Sequence, residues 1–414
     1  MTRHHGEYNI SNEEEPKKTN GTAVQESNKY VGYGFKEDQS LWLRVDKLGL
    51  RFNPIVSFFS ISLIIAFVAI CSIYKEDVPF GSWKAYIVDK FTWLYIGSQN
   101  LWAVFAIVLY FSKYADLKLG KPDEKPEYND VSWFVMLFAC GIGVGLFFYG
   151  VAEPIYHYTA QYNRYTADPT TPDNTIAQIA INLTLYHWGI HGWIVYCLVG
   201  LLLALMTYRE NLPMTMKSCF YPLIGDRIYG WIGDVIDITS VLTTLFGVCT
   251  SLGLGTRQLN SGFNSVNPDI NEDNLTIQII IIWVITAIAT VSTVSGVGMG
   301  IRRLSETCFG FGMFLMLVAL FMDQTFYILN LLVQSLGYYM QFIVQLGWHT
   351  DAFEQLGPSA HKELGRAVVT EGHEPDGDEG WIDDWTMFYW GWWISWSPFV
   401  GNFFLKICNC KKLT

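Results

Sequence analysis

The stretch YHWGIHGWIVY, residues 186–196, sets two histidines, two tryptophans and two tyrosines among otherwise apolar residues. Residues of these types do two kinds of chemistry. His187 and His191 stand four apart, the spacing at which one helix face presents two zinc ligands. Trp188, Trp193 and Tyr196 can instead wall a cage around a cation. On a helical wheel with Trp188 at the origin, Tyr196 falls at about 80° and Trp193 at about 140°, so the rings share one broad face. His187 and His191 fall at about −100° and −60°, nearly opposite that face. A zinc site needs one or two more ligands, and no glutamate stands between the histidines as in a hydrolytic HExxH helix. The histidines are therefore expected to hydrogen-bond to neighbouring helices.

A second aromatic constellation lies near the end of the chain, in DDWTMFYWGWWISWSPFV. Trp390, Trp393 and Trp396 form a stripe at helical steps of three, while Trp392 is expected to point elsewhere. Tryptophans at membrane interfaces account for Trp381 and Trp385, but not for a stripe running two turns inward. Aromatic faces attract cations that cannot donate hydrogen bonds, at about 0.5–2 kcal/mol per desolvated contact. No carboxylate within the apolar runs is evidently placed to neutralise such a cation, which points to a cage of rings. A third segment, FACGIGVGLFFYGVAEP, carries Gly141, Gly143 and Gly145. Gly141 and Gly145 share a face and let a second membrane helix approach closely. Alternatively, the three glycines unwind the helix and bare carbonyls that coordinate a cation. On residues alone, packing is the preferred reading.

These constellations need elements to position them, and composition says which. Hydrophobic residues make up 51% of the 414 and charged residues only 16%, in long runs almost free of charge. Each run is about the 20 residues that cross a bilayer core. Spans are predicted at 54–74, 91–112, 131–152, 178–207, 234–257, 276–297, 306–322 and 384–405. This is an all-α polytopic membrane protein of about eight transmembrane helices. With the N-terminus inside, 20 Lys and Arg fall on the inner side and 7 on the outer, in keeping with the positive-inside rule. The run 325–347 would reverse that balance if it crossed, so it is read as an amphipathic helix on the outer surface. Residues 1–41 are polar and read as a disordered cytoplasmic tail, 42–405 as the membrane domain, and 406–414 as a short inner tail. The acidic loop 348–383 is read as solvated. The cysteines are scattered without a CxxC pair, and no basic stripe suggests nucleic acid.

At the aromatic and glycine blocks the chain resembles the betaine/carnitine/choline transporter family. GIGVGLFFYGVAEP, HWGIHGWIVY and FYWGWWISWSPFVGNF carry the likeness, supported by TTLFGVCTSLGLG at 243–255. The resemblance implies a LeuT-like fold of two inverted five-helix repeats with the solute held between them. It implies that Trp188, Trp193, Tyr196 and Trp393 box an onium group, that Trp396 lines the inward path and that Trp390 belongs to the same motif. Gly141, Gly143 and Gly145 would line the solute site. Gly145 stands where proton-coupled choline-type members carry an aspartate, which implies sodium as the coupling ion and a zwitterion such as betaine as solute. The carbonyls of Ala139 and Ile142 would form one sodium site, and Thr244 with Phe399 part of another.

The departures are specific. Val248 replaces a threonine expected one turn after Thr244, with Thr243 or Ser251 as substitutes. After GNFF the family pattern continues through four further spans, whereas this chain reads LKICNCKKLT. It is thus read as a partial five-plus-five fold, carrying the first repeat and the first helix of the second. The leading expectation is a sodium-coupled carrier of betaine, choline or a related onium solute in the plasma membrane, with no other cofactor. The alternative is a non-transporting form that associates with full-length homologues, and a homotrimer is a further possible assembly. A membrane zinc enzyme on His187 and His191 ranks last.

Overall fold

The computed structural model describes residues 40–45, 50–74, 78–119, 125–141, 143–159, 172–350 and 385–407. The expectations for the N-terminal tail before residue 40, for Ile142, for Trp381, for most of the acidic loop and for residues 408–414 lie outside these segments. A short antiparallel ribbon, β1 (Leu43–Val45) and β2 (Leu50–Phe52), precedes the helices. The helices are α1 (Pro54–Tyr74), α2 (Phe80–Phe111), α3 (Asp130–Gly141), α4 (Gly143–Thr159), α5 (Asp173–Trp188) and α6 (Ile190–Ala204). There follow the short α7 (Tyr221–Ile224), then α8 (Trp231–Val266), α9 (Leu275–Val294), α10 (Arg302–Met322), α11 (Thr325–Gly347) and α12 (Met387–Ile407).

Among the described residues, seven helical stretches are long and apolar enough to cross a bilayer, and the bent pair α3–α4 makes an eighth. The protein is an all-α polytopic membrane protein. α1 buries only Ser60, and its bulky apolar side chains face outward, as lipid-facing residues do. α11, expected to lie on the outer surface, is one of these stretches, whereas α12, which covers the predicted span 384–405, is not among them. α11 packs on α5 and touches α10, burying Ser335, Tyr339, Leu346 and Gly347.

Two of the predicted continuous spans are broken. The third bends by 59° between Asp130–Gly141 and Gly145–Thr159, where the glycines weaken the helix. The fourth stops at Trp188 and restarts at Ile190, with Gly189 at φ −85°, ψ −137°. The wheel drawn through Trp188–Tyr196 as one helix therefore needs correcting. The break frees the N–H of Ile190, which donates to the Tyr339 hydroxyl of α11 at 3.1 Å. A Cβ on Gly189 would run into that hydroxyl and the Leu185 carbonyl.

The core is aromatic and gathers where α5, α6, α11 and α12 meet α2. α6 and α12 make the most extensive contact. They close up because Gly401 leaves no side chain between them: a Cβ there would stand 2.5 Å from Val199 Cγ1.

Lys217 follows the π-turn that ends α6, and its Nζ lies 3.5 Å from Asp237 Oδ2 of α8, with side chains 2% and 9% exposed. The Lys217 backbone N–H also donates to Asp237 Oδ1 at 3.1 Å. Removing one partner of a buried pair strands the other charge at a cost of about 3–5 kcal/mol, whereas replacing both by apolar residues is often neutral. Lys217→Met is expected to lower the melting temperature in detergent by several degrees. Adding Asp237→Leu should restore most of it, and scanning fluorimetry of both variants checks this.

Candidate functional site

A cavity of about 120 Å³ sits at the helix breaks, lined by residues of α3, α4, α5, α6, α8 and α12. Ala139, Gly141 and Gly145 come from the two sides of the third-span break, Trp188 and Tyr196 from the two sides of the fourth. Trp393 and Trp396 of α12 complete the ring wall, and Ser251 of α8 adds a hydroxyl. Gly143 opens α4 beside them. The glycines make room for rings and not for a second helix backbone. A Cβ on Gly145 would stand 2.7 Å from Trp188 Cη2, and one on Gly141 3.0 Å from Trp193 Cζ3. Trp193 packs there, edge-on to Tyr196 at 6.2 Å between centroids.

The structure reassigns two tryptophans of α12. Trp392, expected to point elsewhere, lines the cavity and reaches within 3.3 Å of a Cβ on Gly145. Trp390 turns away from the cavity, stacked on His191 and edge-on to Tyr186 and His187. The inward face of α12 runs through residues 389, 392, 393 and 396, which lie within about 100° of one another, with Trp390 at its edge. Tyr389, to which the sequence reading gave no role, stacks on Trp393 at 5.1 Å and 14° and meets Trp188 edge-on at 5.2 Å.

Of the sodium-site candidates, Ala139 lines the cavity at the end of α3. The next carbonyl, of Cys140, accepts from Trp396 Nε1 at 3.1 Å. Such capping is what a helix end inside a membrane requires. Thr244 and Phe399 lie on packed helices α8 and α12, each one turn from the point where Gly247 meets Trp396. The Phe399 ring tilts against Trp396 at 4.7 Å.

The two histidines hydrogen-bond to other helices, but to different ones. His191 Nε2 pairs with Asn100 Oδ1 of α2 at 3.0 Å. Asn100 in turn donates to the Ile96 and Gly347 carbonyls, tying α11 to α2. His187 Nδ1 meets Glu153 Oε1 of α4 at 2.5 Å, and its Nε2 meets Thr386 Oγ1 at 2.9 Å. His157 Nε2 reaches the same Glu153 oxygen at 3.1 Å. The other oxygen, Oε2, accepts from Trp188 Nε1 at 2.7 Å and from the Tyr389 hydroxyl at 2.8 Å.

Glu153 is the residue sequence reasoning missed. The predicted third span ends at residue 152, one short of Glu153, whereas α4 continues to Thr159 and buries Glu153 completely. The signal was present in its spacing to His157, four residues on and one helical turn away. Glu153, His157 and His187 offer ligand atoms within 4.8 Å of one another, a donor set the zinc reading lacked. Here the three satisfy one another by hydrogen bonds, and His191 is not among them.

Interrupted membrane helices around a small ring-lined cavity define the class: a polytopic α-helical membrane protein with a cleft between its helices. Comparison with known proteins agrees. The family model described as betaine/carnitine/choline family transporter matches residues 55–412. The chain belongs to that family, which is one of transporters and not of enzymes. It is 39% identical over 330 residues to the glycine betaine transporter OpuD of Bacillus subtilis, covering 80% of this chain and 59% of that protein. It is 36% identical over 367 residues to the high-affinity choline transport protein of Escherichia coli K12, covering 88% and 50%. An uncharacterized transporter of Haemophilus influenzae is 37% identical over 364 residues, covering 87% and 50%. The chain thus spans about half to three-fifths of the length of these relatives.

Proposed function

We propose that this chain carries the solute-holding part of a sodium-coupled secondary transporter for betaine, choline or a related onium solute. The observation that carries the reading is the cavity itself, walled by Trp188, Trp392, Trp393, Trp396 and Tyr196. Indole and phenol faces bind a methylated ammonium, which has no hydrogen to donate, better than water does. The printed names of the Bacillus and Escherichia relatives, a glycine betaine and a choline transporter, agree with that chemistry. Sodium coupling is supported by the broken third span, whose carbonyl-bearing end at Ala139 faces the cavity. Ion and solute binding at the break would favour the closed state, and rocking of helix groups would open it to the other side.

Uptake of labelled betaine and choline into proteoliposomes, with and without a sodium gradient, tests this. Sodium-dependent accumulation lost in Trp193→Leu is the expected result. Solute binding without uptake would favour the non-transporting form, and neither binding nor uptake would reject the cage.

A further inference from the structure

We propose that Glu153 is a positioning residue for the aromatic cavity, pinning Trp188 of its wall and Tyr389 behind Trp393 and making the Trp188 ring more negative, so that a cationic head group is preferred over an uncharged one of the same shape. The inference rests on the onium reading above and adds a residue that the cavity wall itself does not include.

Glu153 is 0% exposed and is met by partners from its own helix and from α5 and α12. On Oε1 stand His187 and His157; on Oε2 stand Trp188 and Tyr389. An indole N–H and a phenol O–H directed at a carboxylate are donors, and a neutral imidazole can donate from one nitrogen while accepting at the other. The assignment that satisfies every group has His187 donating from Nδ1 to Glu153 and accepting at Nε2 from the Thr386 hydroxyl. Glu153 is then acceptor only, with four donors on two oxygens, which is the hydrogen-bond pattern of the ionised form.

Two consequences follow for the rings. The first is geometric. Trp188 is fixed by its Nε1 and wedged between Tyr149 on one side and Tyr389 and Trp393 on the other. Tyr389 is fixed by its hydroxyl and lies flat on Trp393. One carboxylate thus sets the pose of Trp188, the α5 ring in the cavity wall, and of Tyr389 on α12, which lies against the wall ring Trp393. The second is electrostatic. A charge-assisted bond polarises the donor ring, and a buried anion one ring's width from the cavity acts through a weakly screening medium. Both effects strengthen attraction between a cation and the Trp188 ring, the one of the two that lines the cavity.

Glu153→Gln separates charge from geometry. The amide oxygen can keep Trp188 and Tyr389, and the NH2 can donate to both imidazoles, because each imidazole can move its proton to the other nitrogen. Glu153→Leu removes the anchor altogether. The experiment titrates the purified full chain in detergent with choline and, separately, with 3,3-dimethylbutan-1-ol, its uncharged carbon isostere, following tryptophan fluorescence. Wild type should prefer choline. Glu153→Gln should weaken choline by about tenfold, a ~1.4 kcal/mol change, and leave the isostere unchanged. Glu153→Leu should weaken both. An unchanged choline-to-isostere ratio in a folded Glu153→Gln protein overturns the inference while the onium reading stands. Failure of the wild type to prefer choline to the isostere overturns the inference, and failure to bind betaine as well overturns the onium reading with it.

Discussion

Replacing Trp393 by leucine should abolish measurable onium binding while leaving a folded helical protein. Trp393 is 2% exposed and is the ring on which the others converge. It stacks on Tyr389, meets Trp188 edge-on at 5.5 Å and touches Trp390 at 5.1 Å. Losing one desolvated cation–π face costs about 0.5–2 kcal/mol. Loosening its three ring neighbours adds to that, so a fall in affinity of about 30-fold or more is expected, each 1.4 kcal/mol being tenfold. Truncating a buried tryptophan also costs about 3–5 kcal/mol of stability when cut to alanine, and leucine recovers part of that. Trp393→Phe supplies the control, since it keeps an aromatic face and should retain weakened binding. Fluorescence titration with betaine and choline, beside a thermal melt, separates lost binding from lost fold.

Gly145→Val should be nearly as severe by the opposite route, filling space instead of emptying it. The first atom of any side chain there stands 2.7 Å from Trp188 Cη2, 3.2 Å from Trp188 Cζ3 and 3.3 Å from Trp392 Cη2. Trp188 cannot yield easily, because Glu153 holds its Nε1 and three aromatic rings pack around it. Overpacking of this kind costs about 1–3 kcal/mol. The ring tip can move only into a cavity of about 120 Å³, which leaves no room for the solute. Gly145→Ala should be milder, and Gly337→Ala on α11, where a Cβ meets nothing within 4 Å, should leave binding intact. Parallel titrations of the three variants, each confirmed helical by circular dichroism, give the ranking. Equal binding by Gly145→Val and wild type would show that the cavity is not the solute site.

The membrane class was legible because lipid imposes it residue by residue. A charge-free run such as Pro54–Tyr74 has one fate in a bilayer, and its helix has the predicted limits. The ring inventory was legible for a similar reason: Trp188, Trp193, Tyr196, Trp393 and Trp396 all stand at or beside the cavity. The helix breaks were less visible. Three alternating glycines announced the first, but one glycine at 189 fits a continuous helix equally well on local grounds. It becomes a break because Tyr339, one hundred and fifty residues away, can satisfy the freed Ile190 N–H.

What the sequence by itself determined is the solvent and the palette: lipid outside, and indole, phenol and glycine inside. Which of those groups meet was decided only by the tertiary structure. Trp390 and Trp392 are two residues apart and equally aromatic, yet Trp390 packs on His191 and Tyr186 while Trp392 lines the cavity. Glu153 stands one residue beyond the predicted third span, and only because α4 runs on past it do His187, Trp188 and Tyr389 reach its oxygens. Periodicity reports the direction of a side chain about its own axis, but a hydrogen bond or a cavity wall needs the relative placement of two axes. No single segment of this chain contains that information.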